Sequence, residues 1–209
     1  MMQYIPFVIC AVAGYLLGSI ETAIFLSKFK YKDDVRTHGS GNSGSTNMLR
    51  VYGKKAGVIT FIGDIAKGAI AVFLGCWIAS LFSLDKIECG CIAGLFAVIG
   101  HDFPIFFNFK GGKGVATTLA VGSVLFPEQG VIALVIAAIV ILITRYVSLA
   151  AIICMTVFTV YIIIAHNSNT ILLISVLCMW VLMVTRHAEN IKRLIKGEEN
   201  KVFDKKNKS

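Results

Sequence analysis

Residues 148–166 read SLAAIICMTVFTVYIIIAH, a run that contains no Asp, Glu, Lys or Arg. About 20 apolar residues in a helix cross the hydrocarbon core of a bilayer, so this run predicts a transmembrane helix. Six further apolar runs recur along the chain: 4–27, 56–84, 89–108, 114–127, 130–145 and 170–185. The runs at 114–127 and 130–145 are short for a full span. We expect an all-α integral membrane protein with about seven transmembrane helices, and five is the alternative count.

The composition of the chain supports a membrane protein. Hydrophobic residues make up 56% of the 209 residues, and the mean hydropathy is +0.78. Soluble domains are about 45–50% apolar, so the excess is typical of a chain whose solvent is lipid. Only short polar loops separate the runs, which predicts a single multi-pass membrane domain over residues 1–209. The six cysteines lie in or beside the runs, away from His at metal-ligand spacing, so we expect no metal and no cofactor.

The positions of the basic residues predict how the chain crosses the membrane. Lys and Arg concentrate in cytoplasmic loops. With seven spans and an outside N-terminus, loop 28–55, the second and third inner loops and the C-terminal tail would all lie inside. Of the 20 basic residues only Lys86 would then lie outside, and Lys67 would lie within a span. We therefore expect the N-terminus outside and the C-terminus in the cytoplasm.

The net charge of +8 follows from this topology. Basic loops at the inner face are also attracted to the anionic lipids of the inner leaflet. Membrane lipids are therefore the expected surroundings, and nothing in the charge calls for a nucleic acid partner.

The first inner loop contains GSGNSGSTN at residues 39–47, followed by Arg50. Glycines that alternate with small hydroxyl and amide residues let backbone N–H groups converge on an anion. This makes Gly41 and Asn42 candidate phosphate-binding residues, and Arg50 can hold a phosphate with a forked pair of hydrogen bonds. A flexible linker is the alternative for a Gly/Ser run. The closeness of Arg50 at a membrane surface favours a binding loop.

The second inner loop reads FKGGKG at residues 109–114 and leads directly into the fourth apolar run. The amide of Gly112 and the N-terminus of the next helix can face a negative group, and Lys110 and Lys113 add positive charge. The loop does not fit the Gly-x-x-x-x-Gly-Lys-Ser/Thr frame of a nucleotide-hydrolysing protein. The alternative is that both lysines only follow the positive-inside rule.

Two polar segments follow at the same face. His187 and Asn190 are three residues apart and share one face of a helix. Most histidines at a helix end are solvated or capping, so the catalytic interpretation depends on the neighbouring loops. Ser148 stands at the start of a run after Arg145, where a serine on its own is usually an N-cap.

Charged residues also occur within the apolar runs. Asp64 and Lys67 lie three residues apart on one helix face, and charges at that depth face a bundle interior or a wet cavity. A buried pair that orders the bundle and a direct catalytic role are both open. Glu21 has the same ambiguity, and the sequence offers it no evident partner.

Several motifs occur in a fixed order along the chain. They are 39–42 with Gly44, Thr46-Asn47 and Leu49-Arg50, then Asp64-Ile65-x-Lys67-Gly68, Gly100-His101-x-Phe103-Pro104, 109–117, Arg145-Tyr146-x-Ser148 and 187–199. In order, spacing and hydropathy they closely resemble the bacterial acyl-phosphate:glycerol-3-phosphate acyltransferases, the PlsY family. One such motif would be weak evidence, but several in register over essentially the whole chain are specific.

The resemblance implies a seven-helix enzyme that transfers a fatty acyl group from acyl phosphate to the sn-1 hydroxyl of glycerol-3-phosphate. The products would be lysophosphatidic acid and phosphate, at the start of bacterial phospholipid synthesis. Its partners would be glycerol-3-phosphate and a long-chain acyl phosphate, in the bacterial cytoplasmic (inner) membrane with the active site facing the cytoplasm. Carried over motif by motif, the site residues are Ser40, Arg50, Lys110, Ser148, His187 and Asn190. We assign Ser40, His187 and Asn190 to catalysis, and the other three to phosphate binding.

The chain departs from the family pattern at a few positions. Glu21 and Ser43 stand where the family commonly has Pro, and Ser45 replaces the usual Ala. The change at Ser43 concerns the conformation of the first loop.

Two accounts of the proton remain open at this point. Either His187 accepts the proton of the attacking hydroxyl, or the departing phosphate accepts it and His187 and Asn190 orient the glycerol. The resemblance favours the second. An anion transporter is a rival class, since polar loops and intramembrane charges also suit a phosphate path. The absence of an inverted repeat in the sequence and the clustering of the Gly-rich loops at one face argue against it.

Overall fold

The computed structural model describes residues 4–202; the basic tail residues Lys205, Lys206 and Lys208 lie outside this part. Every regular element in it is helical. The α-helices, in chain order, are α1 (Ile5–Gly18), α2 (Thr22–Lys30), α3 (Ser45–Tyr52), α4 (Lys54–Leu81), α5 (Lys86–Asp102), α6 (Val115–Leu125), α7 (Pro127–Thr144), α8 (Val147–Ala165), α9 (Thr170–Arg186) and α10 (Ala188–Ile195). Two short 3₁₀ turns, Val35–Thr37 and Ile105–Phe107, lie in the loops between them.

Five segments are long and apolar enough to cross a membrane: Ile5–Lys30, Lys54–Leu81, Lys86–Phe107, Pro127–Thr144 and Val147–Ala165. A sixth is possible if α9 and α10, which meet at a bend of 55°, count as one span. The all-helical class is confirmed, but seven spans are not reached. The difference lies mainly in the run 114–127, where α6 has 11 residues. At 1.5 Å per residue it is about 16 Å long, short of the roughly 30 Å core.

The first apolar run is divided into two helices at residues 19–21. The ammonium of Lys67 on α4 donates to the carbonyl oxygens of Gly18 and Ile20, both at 3.0 Å. These carbonyls lie at the end of α1, where helix acceptors are left without intrahelical partners. A charged side chain inside the bundle therefore stabilises the break, and it also brings Glu21 at the start of α2 into the interior.

Helix α5 is the central helix of the bundle, since it packs against α1, α4, α6 and α9. Its contact with α1 is made at backbone distance. A Cβ at Gly14 would overlap the carbonyl oxygen of Ala93, and one at Gly18 that of Ala97. Small residues four apart let two helices approach closely within a membrane, where close packing drives helix association.

The polar loops meet at one end of this bundle and are joined by hydrogen bonds. Arg36 in the first loop donates to the carbonyls of Phe107 and Lys110 in the second. At the other side, the amide of Val202 donates to the carbonyl of Arg145. Loops that are far apart in the chain therefore enclose a single region above the helix ends.

Candidate active site

A cavity of about 170 Å³ lies between the loops at this end of the bundle. Most of the sequence-predicted site residues line it: Ser40, Asn42, Arg50, Lys113, Ser148, His187 and Asn190. A wider, open groove adjoins the cavity and shares Ser40, Asn42, Lys113 and Asn190 with it. Gly41 and Lys110 line this groove and do not line the inner cavity. Four separate segments thus bring their polar residues to one place.

The first loop is folded around the side chain of Asn47, which is 2% exposed. Its amide nitrogen lies 3.0–3.2 Å from the carbonyl oxygens of Val35, His38 and Asn42, which share its two N–H donors. Its oxygen accepts from the amide of Ser40 at 3.0 Å. This loop is therefore an ordered structure and not a flexible linker. Asn47 therefore organises the loop, a role that its place in a Gly/Ser-rich motif does not by itself predict.

The N-terminus of α3 lines the cavity directly after this loop. Gly44, Ser45 and Thr46 are part of the lining, and no side chain in the described part of the chain caps α3. The first amides of a helix have no intrahelical acceptor, and the helix dipole places partial positive charge there. These amides can therefore receive an anion such as a phosphate.

The second loop is folded back onto the end of α5. The amide of Gly112 donates to the carbonyl of His101 at 3.0 Å, and a Cβ at Gly112 would overlap the His101 imidazole. Arg186 donates to the carbonyls of Gly111 and Gly112, the latter at 2.7 Å. Arg186 therefore holds this loop against the end of α9. The sequence alone does not predict this role, because Arg186 is there one of several basic residues of the C-terminal tail.

This geometry changes the part that Gly112 can take. We expected its amide to face phosphate, but that amide is already used by His101, and Gly112 lines neither the cavity nor the groove. The unpaired amides on this side are instead those at the start of α6, where Val115 and Ala116 line the cavity. The loop thus presents the N-terminus of the next helix, as the sequence predicts, and its free amides lie three to four residues beyond Gly112.

Lys113 and Arg50 supply the positive charge of the cavity. Burial lowers the pKa of Lys113 to about 8. The negative charge of Glu199 partly opposes this shift, and the positive charge of Arg193 adds to it. Burial also lowers the pKa of Arg50. Both cations are partly removed from water and repel each other. Binding of an anion between them is therefore favourable, because it compensates their charge.

Glu199 holds the polar residues on the opposite wall. Its carboxylate accepts from Ser148 Oγ at 3.1 Å, from Asn190 Nδ2 at 2.7 Å and from Arg193 Nε at 2.8 Å. The side-chain oxygen of Asn190 accepts a hydrogen bond from the ammonium of Lys113. Ser148 and Asn190 are thus oriented by a buried carboxylate, and Glu199 acts as a positioning residue of the site.

His187 lies at the bend between α9 and α10 and is 3% exposed. Its Nδ1 is 2.8 Å from the carbonyl oxygen of Met183. Because a carbonyl can only accept, Nδ1 carries the proton, and in the neutral ring Nε2 keeps its lone pair. The side chain can therefore accept a hydrogen bond, or a proton, from a hydroxyl group in the cavity.

A buried charged cluster lies beneath the cavity and gives Glu21 the partners that the sequence did not. Glu21 Oε1 lies 2.7 Å from Lys67 Nζ and 2.9 Å from His101 Nδ1. Oxygen and nitrogen atoms of Glu21, Asp64 and His101 lie within 4.8 Å of one another, close enough for a metal ion. However, Lys67 Nζ already lies 3.4 Å from Asp64 as well. Its ammonium supplies the positive charge, so the donor set fits an internal ion-pair cluster better than a metal site.

Comparison with known proteins gives consistent results. Residues 8–197 match the family described as glycerol-3-phosphate acyltransferase. The chain is 38% identical to the glycerol-3-phosphate acyltransferase of Clostridioides difficile (strain 630), covering 98% of this chain and 100% of that one. It is 42% identical to that of Coxiella burnetii (strain Dugway 5J108-111), covering 94% and 98%.

Two crystal structures are also similar. Both are of PlsY (YgiH), an integral membrane glycerol 3-phosphate acyltransferase. The glycerol 3-phosphate form has a TM-score of 0.85 and 35% identity, with 94% of this chain and 95% of that chain covered. The lysophosphatidic acid form has a TM-score of 0.81 and 34% identity, with 93% and 94% covered.

Proposed function

The chain belongs to the glycerol-3-phosphate acyltransferase family, and from this premise we propose that it uses acyl phosphate to acylate the sn-1 hydroxyl of glycerol-3-phosphate. The family membership makes it an acyltransferase of phospholipid synthesis. The donor and the position of acylation are the proposed part. The products would be lysophosphatidic acid and free phosphate.

The observation that carries the proposal is the pairing of two phosphate-type walls in one cavity. Arg50 and the N-terminus of α3 form one wall, and Lys113 and the N-terminus of α6 form the other. A reaction between two phosphorylated substrates needs two such walls, because the mutual repulsion of the anions must be offset when they are held close together. Lys110 and Gly41 in the outer groove would guide the anions inward.

The donor needs little activation, because an acyl phosphate is already a mixed anhydride. The glycerol hydroxyl oxygen forms a bond to the acyl carbon, and the bond from that carbon to the phosphate oxygen breaks. The negative charge that develops on the acyl oxygen can be stabilised by Ser40, by Asn190 and by nearby amides. The apolar lining of the cavity, which includes Phe61 and Ala151, suits the start of a long acyl chain.

The proton of the attacking hydroxyl has two candidate acceptors. His187 Nε2 can receive it, which would make His187 a general base. Alternatively the departing phosphate receives it, and His187 only accepts a hydrogen bond that orients the hydroxyl. We favour the departing phosphate as the acceptor. Its oxygen becomes basic as the bond breaks, and it leaves from the same acyl carbon that the hydroxyl group attacks.

The proposal includes the location of the enzyme. The five long segments, the α9–α10 segment and the short helix α6 would together make seven spans. In the bacterial cytoplasmic membrane, with the N-terminus outside and the C-terminus inside, they would put the cavity at the cytoplasmic face. Both substrates could then reach it, glycerol-3-phosphate from the cytoplasm and the long-chain acyl phosphate from the membrane. The concentration of basic residues in the loops around the cavity supports this orientation.

The test is an assay with purified protein, glycerol-3-phosphate and either acyl phosphate or acyl-CoA of the same chain length. We expect lysophosphatidic acid and an equal amount of free phosphate with acyl phosphate only, with the acyl group at sn-1 by positional analysis. Turnover only with acyl-CoA would reject the donor, and an sn-2 product would reject the position. Well-folded protein that is inactive with both donors would reject the reaction.

A further inference from the structure

The two glycine-rich loops are connected to each other beneath the cavity through one carboxylate. Glu21 is fully buried, and its oxygen Oε2 accepts from Ser43 Oγ at 2.8 Å. Ser43 belongs to the first loop, but it is absent from the cavity lining to which its neighbours Asn42 and Gly44 contribute. Its side chain therefore points away from the substrates and towards the interior.

The other oxygen of the same carboxylate faces the support of the second loop. Glu21 Oε1 lies 2.9 Å from His101 Nδ1. The two atoms make an electrostatic contact, because their geometry is not that of a hydrogen bond. His101 in turn carries Gly112, whose amide donates to the His101 carbonyl and whose Cα packs on the imidazole ring. A continuous path of contacts thus runs from Ser43 through Glu21 and His101 to Gly112.

Lys67 keeps this carboxylate in place. Its ammonium donates to Glu21 Oε1 at 2.7 Å and to two carbonyls at the end of α1. Buried charges of this kind are retained when they are paired and hydrogen-bonded, and removal of one partner leaves the other uncompensated. Glu21 is consequently anchored to α1 and α4 while it contacts both loops.

We propose that Glu21 is a positioning residue that sets the spacing between the two phosphate-binding loops, through Ser43 on one side and His101 on the other. The inference rests on the proposed function, since it assumes that each loop binds a phosphate. Two dianions must be held close together against their mutual repulsion, so loops kept at a fixed spacing bind them with a smaller loss of free energy.

The test that needs no substrate is hydrogen exchange, measured by mass spectrometry on the purified full-length protein. The reporters are the hydrogen-bonded amides of Ser40 and Asn47 in the first loop, and of Gly111 and Gly112 in the second. We expect Ser43→Ala to speed exchange in the first loop only, and Glu21→Gln to speed it in both. Ser175→Ala, a buried serine on α9, is the matched control and should change neither. Unchanged exchange at Gly111 and Gly112 in Glu21→Gln would overturn the proposal.

A kinetic cycle tests the same coupling by another route. Each single variant is expected to raise KM for glycerol-3-phosphate roughly three- to thirtyfold, with a smaller change in kcat. The double variant should resemble Glu21→Gln alone, because both changes break one path. A double variant whose KM rises by the product of the two single effects would contradict a shared path. If Glu21→Gln does not fold, Ser43→Ala alone tests the proposal. Faster exchange in the second loop of Ser43→Ala, or unchanged exchange in its first loop, would then refute the proposed contacts.

These experiments separate the inference from the reaction. An inactive wild-type protein would reject the proposed function, while the exchange pattern would still report whether Glu21 joins the two loops. An active protein with unaffected loops in Glu21→Gln would retain the function and reject the positioning role.

Discussion

His187 has a defined tautomer because Met183 fixes its Nδ1 proton. If the leaving phosphate accepts the proton, we expect His187→Gln to keep measurable turnover, since an amide can still orient a hydroxyl group. Asn190→Ala should show a defect of similar size, measured as kcat under saturating substrates. His166→Gln is the control, because His166 lies at the far end of α8 beside Phe126. A loss in kcat above about a thousandfold for His187→Gln would instead identify it as the general base.

Lys113 makes the site sensitive to alkaline pH. Burial holds its pKa down to about 8, so its charge is present below that value and is lost as pH rises through it. Glycerol-3-phosphate is a dianion throughout this range, so we expect kcat/KM to fall above about pH 8, with a limit of roughly ten- to a hundredfold for the loss of one charged hydrogen bond. Lys113→Arg should move this fall to higher pH, because a guanidinium stays protonated. A wild-type profile that is flat up to about pH 9.5 would show that the Lys113 charge is not used.

The first loop is the element whose order depends most on a single side chain. Asn47→Ala removes the two N–H donors that three carbonyls share and one accepted bond, and it leaves buried backbone groups unpaired. We expect a loss of about 2–4 kcal/mol in local stability. Limited proteolysis should then cut within 39–47 faster than in the wild type, and KM for glycerol-3-phosphate should rise.

The control for this loop is Asn167→Ala, in the exposed turn between α8 and α9. The same loss of an amide there should change neither cleavage nor KM. If the proteolysis rate of Asn47→Ala equals that of the control, loop order does not depend on Asn47.

The topology of the whole molecule can be tested by labelling single cysteines in a variant that lacks the native ones. In the proposed orientation Ser83→Cys and Ser168→Cys lie outside and should react in intact cells with a reagent that does not cross membranes. Thr37→Cys should react only after permeabilisation. These positions are exposed in the structure, so access is limited by the membrane and not by the fold. Labelling of Thr37→Cys in intact cells would show that the orientation is the opposite of the proposed one.

The same approach addresses the short helix α6. Gln129→Cys follows it, at the start of α7, and would label from outside if α6 and α7 both cross. Protection from both sides would mean that α6 is a partial span, which its length of about 16 Å would explain.

The sequence by itself determined the class of the molecule, because apolar length and the distribution of basic residues act through the bilayer and need no tertiary contact. It also predicted most of the residues that the structure brings together around one cavity, such as Arg50 and His187. The tertiary structure alone decided which amides remain free, as at the start of α6, and which are already used, as at Gly112. It also decided which side chains hold the loops in place, as Asn47 and Arg186 do. It also decided the partners of Glu21, because a buried charge is stabilised only by groups that folding brings within a few ångströms, and these come from distant parts of the chain.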